Sequence, residues 1–361
     1  MKILVINPGS TSTKIAVYRF EKCVFQATIR HPDTEIARFK GILDQYQYRL
    51  QAVKKALADS GYDMAEFSAI AARGGLLRPL AGGTYLINEE MCNDLIECRY
   101  GGHVSNIAAI MAYNLGKTHN IPGYIVDPVT VDEFHDLARF SGLPELPRVS
   151  RSHFLNMRAV AREASLLTGI SFNDIKLIVV HLGSGISVAS FSGGKMIDVS
   201  DPNREGPFSI ERCGAIPSLD LVALCYSGAY TEKEMKEKIT RAGGIYAYLG
   251  TKDFSRVEAM IVGGDEQAGR VVRAMCYQVA KEIGAMSTVL YGKVDRIALT
   301  GGMSNSKLMV DEISARTRSI AEVLVIPGER EMEALALGVV RVCKGEEDLK
   351  NYGKLSGGNH D

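Results

Sequence analysis

The sequence predicts an α/β protein built from two copies of one domain. Three observations predict it. The chain has 361 residues, more than one ordinary core holds, which points to two domains. It opens with an apolar strand, a glycine turn and a second strand, V-I-N-P-G-S-T-S-T-K-I-A-V, and the pattern restarts at I-V-V-H-L-G-S-G-I-S-V. Each of these units is followed by helical stretches and further short apolar strands ending in glycine or a carboxylate. The expected division is residues 1–150 and 151–330, with the last helix, about 331–361, packing back on the first domain.

In chain order, residues 2–7, 14–20 and 23–31 read as strands joined by short turns, a β-meander. Residues 36–60 form one amphipathic stretch that stops at Gly61 and predict a helix. A-I-A-A-R-G-G (69–75) is a short buried strand ending in glycines. Residues 105–119 predict a helix, and G-Y-I-V-D (123–127) a strand ending on a carboxylate. Pro144 and Pro147 mark the boundary, and a helix over 154–168 follows. The second meander spans 176–185, 187–191 and 195–199. A long helix over 265–291, strands at 296–302 and 321–328, and a helix over 332–343 complete the pattern. Two unrelated strand-turn-strand units would give the same local echo, so the duplication rests on the helices and strands that follow each.

Bulk properties exclude several classes. The 42 basic and 42 acidic residues cancel, so no global field draws the chain to nucleic acid or an anionic membrane. No run of 18 apolar residues exists, which argues against a membrane helix. The apolar stretch 3–6 is too short for a signal peptide. Seven cysteines, an odd number with no C-x-x-C spacing, predict reduced thiols in a cytoplasmic protein, with neither a disulfide frame nor a zinc site.

Three glycine–hydroxyl turns carry the chemistry. N-P-G-S-T-S-T offers the Asn7 amide and the hydroxyls of Ser10 and Ser12 beside Gly9, neutral donors of the kind that bind phosphate oxygens. An ordinary hairpin turn uses the same residue types. H-L-G-S-G-I-S repeats the arrangement at Gly183, Ser184 and Gly185, and L-T-G-G-M-S-N-S supplies Gly301, Gly302, Ser304 and Asn305, where paired glycines let a flat adenosine lie on the backbone. Neither G-x-x-x-x-G-K-[ST] nor G-x-G-x-x-G occurs, which excludes a P-loop and argues against a Rossmann site.

With its two meander-led domains, the chain resembles the superfamily of actin, sugar kinases and heat-shock chaperone ATPases. V-I-N-P-G-S-T-S-T-K is similar to the opening signature of the acetate and butyrate kinases, and H-L-G-S-G-I-S and R-C-G (212–214) are similar to later signatures of that family. The departures lean toward its butyrate kinase branch or a close branched-chain acid kinase. The His-Gly-Gly run of acetate kinases is replaced by Arg73-Gly74-Gly75-Leu76-Leu77, and their F-H-G-T-S-H segment by S-R-S-H-F-L-N (150–156).

The resemblance implies two ribonuclease H-like (actin-like ATPase) domains facing a nucleotide cleft, with ATP/ADP and Mg²⁺ as cofactors and a homodimer or larger homo-oligomer as assembly. It also implies phosphoryl transfer from ATP to a small carboxylate such as butyrate. That nucleophile has a pKa of roughly 4 to 5 and is ionised at neutral pH, so it needs no general base. Cations carry such a reaction. The resemblance implies Arg73, Arg212, His153 and His181 as catalytic residues, Asn7, Asp127 and Glu333 as metal ligands, and Asp201, Glu211 and Glu331 as rivals. His153 also reads as a helix N-terminal residue, and His181 as a strand-end histidine bonded to backbone. Lys14 is expected only to begin the return strand, and residues 74–77 to shape the acid pocket. A sugar-type kinase with Asp127 as base and a non-catalytic ATPase switch remain as alternatives.

Overall fold

The computed structural model describes residues 1–353; the part of the expected last helix beyond residue 353 lies outside them. The chain divides into two compact units, Met1–Asp132 with the segment from Arg330 onward, and Glu133–Glu329.

The first unit is built on a seven-stranded sheet of β1 (Lys2–Pro8), β2 (Ser12–Arg19), β3 (Lys22–Arg30), β4 (Ala69–Arg73), β5 (Thr84–Leu86), β6 (Gly123–Val126) and a last short strand, Lys350–Asn351. Its order runs from that last strand through β5, β6, β4, β1 and β2 to β3. β1 to β3 form the antiparallel meander, while β4 joins β1 in parallel and β6 joins β4 in parallel. Ile3, Leu4, Val5 and Ile6 are all buried, as expected for a strand covered on both faces. Leu4 and Ile6 join a core with the helices Tyr46–Asp59 and Asn106–His119.

The second unit contains β7 (Leu177–Leu182), β8 (Ile186–Ser192), β9 (Lys195–Val199), β10 (Arg296–Thr300) and β11 (Val323–Val325), in the order β11-β10-β7-β8-β9. Here too the first three strands are an antiparallel meander, and β10 and β11 add in parallel. The run β6-β4-β1-β2-β3 in the first sheet thus has the same order and strand directions as β11-β10-β7-β8-β9 in the second.

The expected helix over 36–60 is two helices, Asp33–Ile36 and Tyr46–Asp59. Gly41 lies between them and its N–H donates to the Asp44 carboxylate at 2.8 Å; glycine weakens a helix and such side-chain bonds compete with it. The division falls at residue 132 rather than near 150. The connecting segment is tied to the second unit: the His135 N–H donates to Ile197 O, and Arg148 pairs with Asp198 and Glu205. The final helix, Glu331–Lys344, stops at Gly345, which takes a left-handed φ of 74°. All seven cysteines are free thiols, and no helix among the described residues is long and apolar enough to cross a membrane.

Candidate active site

Parallel pairing builds the first group of side chains. β1 and β4 run side by side with Ile6 opposite Ala72, so their next residues, Asn7 and Arg73, stand next to each other at the C-terminal ends of the two strands. The first turn of the helix Glu331–Lys344 adds Glu331. The Asn7 Nδ2 donates to Glu331 Oε2 at 2.8 Å, and the Arg73 guanidinium pairs with Glu331 Oε1. These residues line a cavity of about 370 Å³ together with Gly9, Ser10, Ser12, Lys14 and His103.

The electrostatics follow from the contacts. Burial by itself would raise the Glu331 pKa, but the Arg73 guanidinium, the Asn7 amide and the Lys14 ammonium outweigh it and hold the carboxyl below its usual range. Arg73 Nε is buried with no hydrogen-bond partner among the described residues, a donor left for a ligand. His103 accepts the Ser105 N–H on Nδ1 at 3.2 Å, so the neutral ring carries its proton on Nε2. Partial removal from water and the Arg73 charge hold its pKa below the ordinary histidine value.

The expected residues sort unevenly in this unit. Asn7, Ser10, Ser12 and Arg73 are brought together, and Lys14 lines the same cavity instead of serving only the return strand. Glu331, a rival candidate, occupies the acidic position. Glu333 pairs with Arg330 at 3.1 Å, and Asp127 does not line the cavity: directly after β6 it takes a φ of 43° and accepts the Gly83 N–H at 2.7 Å. Residues 74–77 do not line this cavity either. Leu77 belongs to the core, Gly74 abuts Pro128 and Gly75 abuts Asn106. His103 escaped the sequence reading; the signal was a glycine pair and a histidine just ahead of a helix start.

In the second unit, His181 stands near the end of β7 opposite Ser187 on β8. His153 directly precedes the helix Phe154–Thr168 and stacks on His181, with ring centroids 3.9 Å apart and planes 14° from parallel. His153 Nδ1 lies 3.1 Å from Ser187 Oγ. Asn156, one helical turn beyond His153, places its Nδ2 3.0 Å from His181 Nδ1; an amide nitrogen is a donor, so the neutral His181 ring carries its proton on Nε2. That nitrogen lies 2.8 Å from where a Cβ would stand on Gly183. Asn156 was not foreseen, because its role depends on which helix face meets β7.

Arg212 packs onto the same turn. A Cβ on Gly185 would collide with its guanidinium, so glycine here is what admits the cation. Arg212 Nε is buried with no hydrogen-bond partner among the described residues. Burial pushes its pKa down, against the opposing pull of the Glu211 and Asp201 charges. Glu211 itself pairs with Lys252 at 2.8 Å, and Asp201 accepts the Asn203 N–H at 2.9 Å. Gly301 has a φ of 89°, and a Cβ there would strike the Leu182 backbone, so glycine lets the L-T-G-G turn lie against H-L-G-S-G. Ser304 Oγ donates to Gly301 O at 2.7 Å and Asn305 Nδ2 to Gly302 O at 2.9 Å, so both shape the turn. A Cβ on Gly302 would meet nothing within 4 Å, leaving its face open.

The sequence profile of the acetokinase family matches residues 151–331. A Thermotoga petrophila protein named a probable butyrate kinase is 49% identical over 352 residues, 97% of this chain and 98% of that protein. Among solved structures, Porphyromonas gingivalis acetate kinase shares the fold with a TM-score of 0.78 at 18% identity, over 94% of this chain and 99% of that one. A Francisella tularensis propionate kinase gives a TM-score of 0.70 at 18% identity, over 93% and 98%. The duplicated sheets are therefore those of the actin-like ATPase fold, and the chain belongs to the acetokinase family.

Proposed function

We propose that this chain is a short-chain fatty acid kinase that transfers the γ-phosphoryl group of ATP to butyrate, reversibly, giving butyryl phosphate and ADP. The observation that carries the reading is the charge pattern of the first cavity. Its acid, Glu331, is held ionised by Arg73 and Lys14 with a lowered pKa. A general base for a hydroxyl nucleophile needs the opposite, a carboxylate tuned upward toward neutral pH. A carboxylate substrate is ionised already and needs cations instead. The 49% identity to the probable butyrate kinase supports the choice of acid.

Each residue then has a task. The Arg73 fork, with its spare Nε, receives the substrate carboxylate or the phosphoryl oxygens in two-point fashion. Asn7, Ser10 and Ser12 donate to the transferring phosphoryl group. His181 and His153, fixed by Asn156 and Ser187, with Arg212, steady the charge that spreads over the phosphoryl oxygens. The turns at Gly183–Gly185 and Gly301–Asn305 hold the nucleotide. The Asn7 carbonyl oxygen and the Glu331 carboxylate are hard donors that fit Mg²⁺, which takes one or two protein carboxylates and keeps several waters. Bound there, Mg²⁺ would neutralise phosphate charge.

Trapping with hydroxylamine tests the proposal. ATP with acetate, propionate, butyrate or isobutyrate should yield the hydroxamate of the acyl phosphate, with the highest kcat/KM for butyrate. No hydroxamate with any acid, alongside phosphorylation of a sugar, would replace this reading with a sugar kinase. Slow ATP hydrolysis indifferent to every acceptor would replace it with an ATPase switch.

A further inference from the structure

Arg49 has no place in the reaction described above, yet it is fully buried beneath the opening turn. Its Nη1 donates to Gly9 O and Ser12 O at 3.0 Å and to Thr13 Oγ1 at 3.1 Å. Its Nη2 donates to Ser10 O at 2.7 Å, and its Nε to Gln45 Oε1 at 2.9 Å. No carboxylate contacts it among the described residues. We infer that Arg49 is a positioning residue that fixes the N-P-G-S-T-S-T turn as an anion site and sets an unpaired positive charge behind it. The inference rests on reading this turn as a phosphoryl site.

The peptide geometry gives the reason. In a planar trans peptide, the carbonyl of one residue and the N–H of the next point opposite ways. With the Gly9 and Ser10 carbonyls drawn inward to Arg49, the Ser10 and Thr11 N–H groups point outward. Neither N–H donates to another described residue. Gly9, Ser10 and Ser12 line the cavity on that outer side, whereas Arg49 does not. Adjacent outward N–H groups form an anion-binding nest, and the guanidinium locks it from below.

The charge is a separate point. Holding three carbonyls requires donors, and a neutral side chain could supply some of them. A buried unpaired cation is costly to keep, and its field is screened least where water is excluded. His31, whose Nε2 is 2.8 Å from Thr13 Oγ1, offers no compensating charge. Burial and Arg49 push its pKa down to about 4, so it is neutral at physiological pH. An anion seated on the outer face of the turn is the partner this charge lacks.

The test compares the full-length protein with Arg49→Gln and Arg49→Lys. ATP affinity is measured by calorimetry, KM for the acid by hydroxamate assay, and folding by thermal melting. Arg49→Gln should bind ATP at least tenfold more weakly, with KM for the acid unchanged within about twofold, and Arg49→Lys should recover part of the affinity. A folded Arg49→Gln protein with wild-type ATP affinity overturns the inference. So does an equal rise in both constants, which marks general damage. If Arg49→Gln does not fold, Arg49→Lys decides: it too should lose ATP affinity selectively, and wild-type affinity there overturns the proposal. Wild-type protein that binds ATP but forms no hydroxamate refutes the proposed function alone, and the ATP comparison still judges Arg49.

Discussion

Replacing Gly185 by alanine isolates one geometric claim, that the glycine admits the Arg212 guanidinium to the H-L-G-S-G turn. An added Cβ would lie 2.7 Å from Arg212 Cζ and 3.1 Å from its Nε, against 3.4–4 Å for ordinary contact. The guanidinium must therefore withdraw by about 1 Å, a misplacement that costs about 10²-fold in a positioned reaction. That factor corresponds to ~2.7 kcal/mol of transition-state stabilisation. Gly185 is not among the residues with positive φ, so alanine brings no backbone strain and narrows the unfolded ensemble. The hydroxamate assay should show kcat/KM down about a hundredfold while the melting temperature holds. Arg212→Ala sets the floor, and adding Gly185→Ala to it should cost little more, because both changes act through one contact. Activity of the Gly185→Ala protein within about threefold of wild type, or full additivity of the pair, would refute this placement of Arg212.

Asn7→Ala removes the donor to Glu331 and, in the proposed reaction, a donor to the phosphoryl group; kcat should fall about 10- to 100-fold with the fold intact by circular dichroism. Glu331→Gln should cost about 1–3 kcal/mol in urea unfolding near neutral pH, because the partly buried Arg73 loses its counter-charge. The folded Glu331 carboxyl has a lowered pKa, so its stabilisation is complete above the unfolded carboxylate pKa and is lost as pH falls through the folded value. The gap between wild type and Glu331→Gln should accordingly close in acid; a constant gap contradicts the ion pair. His31 titrates near about 4 in the fold and near 6.5 when unfolded. The unfolded chain thus binds more protons between those values, and stability should drop by about 3 kcal/mol as pH falls across that window. His31→Gln should flatten that slope in urea titrations.

The frame was legible because its signals are local. Runs such as K-I-L-V-I-N and L-I-V-V-H-L are short, rich in β-branched residues and closed by glycine, which favours buried strands entering turns, and the two meanders echo each other within a few residues. What the sequence left ambiguous depends on helix phase and long-range pairing. Glu329, Glu331 and Glu333 stand two apart at a helix start, so about 200° of rotation separates neighbours. Only the exact first turn decides which one meets Asn7. Asp127 directly follows β6 rather than ending it, and its left-handed backbone turns the carboxylate to Gly83. Nothing local in the sequence marks Arg49, because the loop that packs on it lies 40 residues upstream.

The two units solve the same problem with different cations. Each sheet begins with an antiparallel hairpin whose turn bears glycine and serine, and each carries its arginine on the segment that connects the third strand to the fourth. In the first unit that segment holds the helix Tyr46–Asp59, and Arg49 bonds to the turn's carbonyls through Nη1 and Nη2 and to Gln45 Oε1 through Nε. In the second, Arg212 follows β9, packs against Gly185, and keeps a buried Nε with no hydrogen-bond partner among the described residues. An arginine whose nitrogens are all engaged by the protein cannot take hold of a substrate without releasing the turn. One with an open donor can. Loss of Arg49 should therefore register in nucleotide affinity, whereas loss of Arg212 should register in kcat. Finding the reverse split would show that the shared strand order says nothing about how each turn is used.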